Sequence, residues 1–236
     1  FPDQYLNPNA VGFDAGCGSG RWAKFICPKI KQLTCIEPSK KAINVAKSNL
    51  VNYKNCIFEN CSINDSNIEN DSQDFVYCLG VLHHIPDTES ALESCVKKLK
   101  KKSPLLIYLY YRFDNKPLWY KKLWRISDKF RTIISKFPFK IKLFISILIA
   151  FLIYLPLTIS GRILNKIGIN TSNWPLIYYR DKSLRFMMTD SLDKFGTRLE
   201  KRYTKKEIIK LMENSGLTNI KFSKKMPYWV AIGFKK

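Results

Sequence analysis

The chain has 236 residues, 46% hydrophobic and 14% aromatic, which suits one domain with a large insertion and excludes a chain too polar to build a core. Its net charge of +21 is unevenly placed: residues 1–111 hold 13 basic and 11 acidic side chains, whereas residues 112–236 hold 27 and 8. The second stretch can therefore set up a positive field toward an anionic partner, although a Lys-, Asn- and Ile-rich composition gives part of that excess without any partner. Only two histidines exist, and they are adjacent; the seven cysteines (Cys17, Cys27, Cys35, Cys56, Cys61, Cys78, Cys95) form no Cys-x-x-Cys. That pattern argues against a metal centre and for reduced, buried thiols in a cytosolic protein.

In chain order, Val11 to Asp14 read as a short apolar strand, and Gly16, Gly18 and Gly20 follow as a turn whose backbone can approach a ligand without Cβ obstruction. A helix is expected from about Arg21, with its first amides facing the turn. The next strand, Leu33–Ile36, ends at Glu37, 21 residues past Gly16, where nucleotide-type sites grip a ribose diol. A glycine triplet alone fits any α/β loop. The order strand, Asp-x-Gly-x-Gly-x-Gly, helix, strand, acidic end is far more specific. A nicotinamide site would start its glycines directly after the strand, whereas here Asp14-Ala15 intervene.

Cys56–Asn60 reads as a third strand, followed by Cys61-Ser62-Ile63. Asp74 to His84, DFVYCLGVLHH, reads as a fourth strand and its exit. Ser90–Lys102 is a helix, Leu105–Tyr111 a fifth strand, and Thr204–Ser215 a helix with Thr204 and Glu207 spaced as a capping box and Gly216 as its stop. Thr218–Ser223 and Tyr228–Phe234 make a closing strand pair. With its Asp14–Gly20 motif, its acidic Glu37 and its GVLHH exit, this series resembles the class I S-adenosylmethionine (SAM)-dependent methyltransferases of the small-molecule type, such as those of bacterial surface-polysaccharide clusters. The resemblance implies a Rossmann-like, doubly wound α/β sheet, mostly parallel with an antiparallel last strand. It implies SAM as cofactor, held by Asp14, Gly16, Gly18, Glu37 and Pro38, with Ser62, Ile63 and Leu79 toward the adenine. It divides the chain into a SAM-binding core (1–111), a helical insertion (112–203) on the substrate side, and a C-terminal helix and strand pair (204–236). Relatives usually carry helices before the first strand, so residues are expected upstream of Phe1.

The insertion opens with Pro117 at the first turn of a helix. Trp119, Leu123, Ile126, Phe130, Ile133 and Phe137 recur on one face, opposite Lys121, Lys122, Arg125, Lys129, Arg131 and Lys136. Such a helix either lies in a membrane interface or packs on its own domain. Leu143 to Gly161 then runs nineteen residues without a charge, long enough to span a bilayer. Core strands on both sides of it must join one sheet, so a single crossing is excluded. Pro156 offers a bend, and the expectation is a shallow hairpin in one leaflet; the rival is a buried lid. Residues 174–203, dense in aromatic, Arg and Asp side chains, resemble the substrate-side segment of the methyltransferases of bacterial surface-polysaccharide clusters.

Methyl transfer from a sulfonium is an in-line displacement, for which a protein supplies alignment and, toward a hydroxyl, a base. His83 and His84 leave the fourth strand on the edge where open α/β sheets bind ligands, and His84 is the favoured base; each histidine also has a plain packing alternative. Asp181, Asp190 and Tyr179 are further candidates. No Asn-Pro-Pro-Tyr or Asp-Pro-Pro-Tyr follows the fourth strand, which argues against nucleic acid as substrate despite the charge. The leading expectation is an enzyme methylating a small-molecule or lipid-linked acceptor, a sugar hydroxyl for example, in the cytoplasm or on the inner face of an anionic membrane. The alternatives are a nucleic-acid methyltransferase gripping with its basic insertion and a non-catalytic, membrane-associated SAM-binding protein.

Overall fold

The computed structural model describes residues 1–114, 116–223 and 229–236. Seven strands form where apolar runs end at glycine or polar turns: β1 (Val11–Ala15), β2 (Gln32–Ile36), β3 (Cys56–Glu59), β4 (Phe75–Leu79), β5 (Pro104–Tyr108), β6 (Leu217–Phe222) and β7 (Val230–Lys235). They make one sheet in the order β3-β2-β1-β4-β5-β7-β6. The first five run parallel, and β7 runs antiparallel to both of its neighbours. The inner strands are buried on both faces, which is why they read as unbroken apolar runs rather than alternations. Tyr228, expected to begin the last strand, lies outside the described residues.

Eight α-helices accompany the sheet among the described residues: α1 (Ala23–Ile26), α2 (Lys40–Asn49), α3 (Thr88–Lys98), α4 (Leu118–Ile134), α5 (Phe139–Ile149), α6 (Leu155–Lys166), α7 (Leu184–Gly196) and α8 (Lys205–Asn214). Local chemistry fixes their starts. The side chains of Ser39, Asp87 and Ser183 cap α2, α3 and α7, and Thr204 and Glu207 form a full capping box on α8. The first helix differs from expectation. It starts at Ala23 rather than Arg21 and lasts four residues, because Pro28 follows within a 3₁₀ turn, Cys27–Lys29. So short a helix has little dipole to offer a ligand, and the glycine turn must do the binding itself.

Two compact units result: residues 1–112 with 201–236, and residues 113–200. The first holds the sheet and two apolar cores on its two faces, centred on Phe13, Val76, Leu92 and Leu105 and on Leu33, Phe75, Tyr77 and Leu50. The chain leaves and re-enters this unit at one place, where Tyr111 bridges Tyr203 and the Arg112 amide donates to the Tyr203 carbonyl at 2.9 Å.

The second unit is helical. The uncharged run does not fold into a hairpin. Phe139–Lys166 is one continuous 28-residue helix in which α5 passes into α6 through a single π-turn, Ala150–Tyr154. Pro156 falls in the first turn of α6, where its missing N–H and its ring are absorbed by the π-turn before it, so it does not reverse the chain. The side of this helix facing its own unit is small or hydroxylated: Ser146, Ala150, Thr158 and Gly161 are buried, along with Tyr154. Phe144, Leu148, Phe151, Leu152, Ile159 and Ile163 stay exposed. The apolar stripe of α4 is exposed as well, with Trp119 at 51% and Phe130 at 59% accessibility, while Arg131 ties the helix to its own unit by donating to the Thr197 carbonyl at 3.0 Å.

Candidate cofactor and active site

Strands β1 and β4 are neighbours from which the chain departs in opposite directions across the sheet, and the crevice at their C-terminal ends is where open α/β sheets take ligands. The candidate site residues converge there from four strand ends. After Ala15 the chain turns through Gly16 (φ 88°), Gly18 (φ 54°) and Gly20 (φ 75°), a left-handed series that β-carbons resist. The amides of Gly16 and Cys17 both donate to the Ile36 carbonyl at 2.9 Å, which stitches the loop to the end of β2. A β-carbon on Gly16 would lie 2.5 Å from Val81 in the loop after β4, whereas at Gly18 it would meet nothing within 4 Å. One glycine thus lets two loops touch, and the next leaves open space beside its backbone.

Glu37 ends β2 against that space. Its carboxylate accepts from the Gly18 amide at 3.0 Å through Oε2 and from the Ser39 amide at 2.9 Å through Oε1. Each oxygen keeps lone-pair capacity, so the group is a fixed anion able to accept two more hydrogen bonds side by side. Asn60 closes the next strand end onto this one, its side-chain amide donating to the carbonyls of Glu37 at 2.8 Å and Pro38 at 3.0 Å. Ser62 is exposed beyond it and donates to Asp65 at 2.6 Å, and Ile63 is buried in the core. Leu79 is half-buried at the end of β4.

Asp14 is 2% exposed, and its Oδ2 has no hydrogen-bond partner among the described residues. Burial pushes its carboxyl up to about 8, with the neighbouring Tyr77 hydroxyl pulling the other way and the charge of Glu37 adding to the rise. A buried carboxyl group with an unmet acceptor, beside a glycine loop, suits a ligand that brings donors, and positive charge placed there would favour its ionised form.

Gly80 (φ 82°) turns the chain out of β4, and Leu82–His84 form a 3₁₀ turn. The two histidines then part. His83 is fully buried and stacks on Tyr110 with ring centroids 3.9 Å apart and planes at 26°. Burial, then the nearby His84 and Arg202, lower its pKa to about 2, so it stays neutral and is a poor base. His84 is half-buried, its ring edge toward Tyr110 and its amide donating to the Val81 carbonyl at 2.8 Å. The chain returning from the insertion braces this loop: the Lys201 amide donates to the His83 carbonyl at 2.9 Å, and the Tyr203 hydroxyl to Thr88 at 2.9 Å.

The other base candidates belong to the second unit and have other partners. Tyr179 is buried and donates to Asp190, while Lys194 donates to its hydroxyl at 2.5 Å. Burial raises the Tyr179 phenol well above its usual range, so this trio is a packing knot rather than a proton acceptor. Asp181 is exposed and pairs with Arg180 at 3.0 Å. Asn60, Tyr77 and Val81 join the site without any sequence motif to mark them; Asn60 reads as the last residue of the third strand but lies one position past its end.

A family model described as a methyltransferase domain matches residues 13–105. The ubiquinone biosynthesis O-methyltransferase of Nitrosomonas europaea is 30% identical over 89 residues, covering 37% of this chain and 38% of that protein. Its counterpart in Alkalilimnicola ehrlichii is 31% identical over 93 residues, covering 37% and 36%. The chain spans less than half the length of the curated relatives it matches. In fold it is similar to a candidate methyltransferase of Bacillus halodurans (TM-score 0.56, 13% identity, 92% of this chain and 68% of that one). A SAM-dependent methyltransferase of Thermotoga maritima gives a TM-score of 0.53 at 16% identity, over 99% of this chain and 86% of that one.

Proposed function

We propose, for a chain that belongs to the class I SAM-dependent methyltransferases and takes SAM as its cofactor, that it methylates a hydroxyl of a small-molecule or lipid-linked acceptor, such as a sugar hydroxyl, at the inner face of a membrane. The observation that carries the cofactor reading is the Glu37 carboxylate, pinned by the Gly18 and Ser39 amides next to the open side of Gly18. Glu37 would accept both ribose hydroxyls, Pro38, Ser62, Ile63 and Leu79 would take the adenine, and Asp14 would face the positively charged portion of the molecule. When bound, SAM supplies a methyl group already activated on a sulfonium. The protein's own task is then alignment and proton removal. His84, half-buried on the loop beside the glycine turn, accepts the acceptor's hydroxyl proton; the neutral, stacked His83 holds that loop in place.

The curated relatives are named for O-methylation in ubiquinone biosynthesis, which favours a hydroxyl acceptor. The membrane side of the reading rests on the second unit. Small and hydroxylated residues facing inward, with Phe, Leu and Ile facing outward, is how helices pack when lipid surrounds them. A water-soluble helix would reverse that order. Lys140, Lys142, Arg162 and Lys166 sit at the two ends of the apolar stretch, where an anionic surface would hold them. With one such helix among the described residues, and with the chain leaving and re-entering the first unit at one point, the second unit lies on the bilayer rather than crossing it.

The direct test incubates the protein with methyl-labelled SAM and fractionated cell extract. Label in the lipid or small-molecule fraction is the expected result. Label in RNA or DNA would move the function to nucleic acid, and SAM binding with no labelled fraction would leave a non-catalytic SAM-binding protein.

A further inference from the structure

The thiols, spread through the sequence without any motif, come together in space. Cys27 follows α1 and Cys56 opens β3, yet their sulfurs lie 2.6 Å apart. Two ties hold them there. The Asn55 side-chain amide donates to the Cys27 carbonyl at 2.8 Å and to the Ile30 carbonyl at 3.0 Å. The Asn55 carbonyl in turn accepts from the Leu33 amide at 3.0 Å, and Cys56 is in register with Leu33 on β2. Cys35, two residues past Leu33 on β2, interacts with Cys56 as well. Hydrogen bonds from Cys27 and Cys35 lower the Cys56 pKa, which favours its thiolate. Cys27 is buried, and Cys56 is partly buried, its residue reaching the surface at the sheet edge. The arrangement is therefore an accessible attacking thiol with a resolving thiol behind it.

We propose that Cys27 and Cys56 form a dithiol site that a low-molecular-weight disulfide oxidises to a reversible cross-link, stapling the edge strand β3 to the turn after α1. The Cys56 thiolate attacks one sulfur of the small disulfide, forms a mixed disulfide and expels one small thiolate. Cys27 gives its proton to that thiolate and attacks the Cys56 sulfur, and the second small thiolate leaves and takes a proton from solvent. Two protein thiols are oxidised by two electrons, and one small disulfide is reduced to two thiols. The sulfurs need close by only about 0.6 Å to reach bonding distance. The staple would fix the strand whose end carries Asn60, Cys61 and Ser62 toward the cofactor crevice. The other partly buried cysteine, Cys61, has no such poise: burial and the Glu59 carboxylate, 3.6 Å from its sulfur, raise its pKa.

The reduced full chain is treated with oxidised glutathione at mildly alkaline pH, alkylated under denaturing conditions and mapped by mass spectrometry. The expected product has lost two hydrogens, carries one Cys27–Cys56 link and has its other five cysteines alkylated. Dithiothreitol reverses it, and its melting temperature is higher by roughly 5 °C or more, since the link constrains the unfolded chain. Cys61→Ser should react as the wild type does, whereas Cys56→Ser should form no link. A glutathione that persists on Cys56, a link through Cys35 instead, or both thiols recovered alkylated would each overturn the proposal. Every readout is a mass or a melting temperature, so failure here leaves methyl transfer untouched, and loss of methyl transfer leaves this result standing.

Discussion

Glu37 is the residue on which cofactor affinity should turn. Alanine there removes a fixed charged acceptor of two hydroxyls and should weaken SAM binding by about 2–3 kcal/mol in calorimetry. Gly16→Val should abolish binding, because a side chain at φ 88° would drive into Val81. Unchanged affinity in both variants would refute the site. His84→Ala should cut turnover by about 10²-fold while leaving SAM affinity nearly intact. Two buried groups set opposite pH limbs. Asp14 has a folded pKa of about 8, above its ordinary 3.8, so the folded state holds the proton more tightly and stability falls as pH rises from 4 toward 8. His83 is depressed from 6.5 to about 2, so stability falls as pH drops below 6.5. Between pH 6.5 and 8 the lowered Cys56 thiol and N-terminal amine favour the fold as pH rises, and Asp14 opposes them with a slope of at most about 1.4 kcal/mol per pH unit. Urea midpoints of the ligand-free wild type, taken relative to those of Asp14→Asn at each pH, should decline across that window.

At the scale of elements, what was legible in the sequence is what local chemistry decides. The α8 capping box, the glycine turn, the acidic end of β2 and the buried parallel strands all declare themselves within a few residues. Where neighbouring segments compete, local pattern misleads: α1 begins two residues later than the motif suggests because Pro28 cuts it to one turn, and α2 has little beyond its Ser39 cap to announce it. Pro156 looked like a bend because a proline's cost depends on the turn before it, which no composition reveals. The parting of His83 from His84 depends on Tyr110, 26 positions on, and was beyond local reasoning. The exposed face of the long helix yields its own prediction. Phe144, Leu148, Phe151 and Leu152 changed together to Ser should release the protein from anionic liposomes in flotation assays, with SAM binding kept. High salt should loosen the wild type without freeing it, because apolar burial is not screened. Wild-type protein that fails to float would make this helix a lid.

At the scale of the molecule, both large apolar cores lie wholly within residues 1–112 and 201–236, while the insertion has a small core of its own around Tyr154 and Tyr179. Replacing 113–200 by a short Gly-Ser linker, with its ends already bridged at Tyr111 and Tyr203, should leave a soluble, cooperatively melting protein that binds SAM within a few-fold of the full chain and does not float. The strand order has a further consequence, in time rather than space. β7 fills the gap between β5 and β6 but is made last of the three, so β5 keeps an open edge while residues 109–229 are being synthesised. At ribosomal speeds that wait is roughly 6–25 s. For all of it an unpaired apolar strand and an outward-greasy helix emerge side by side, a hazard for self-association. A nascent chain of this design has reason to meet a chaperone, or a membrane, before it is finished.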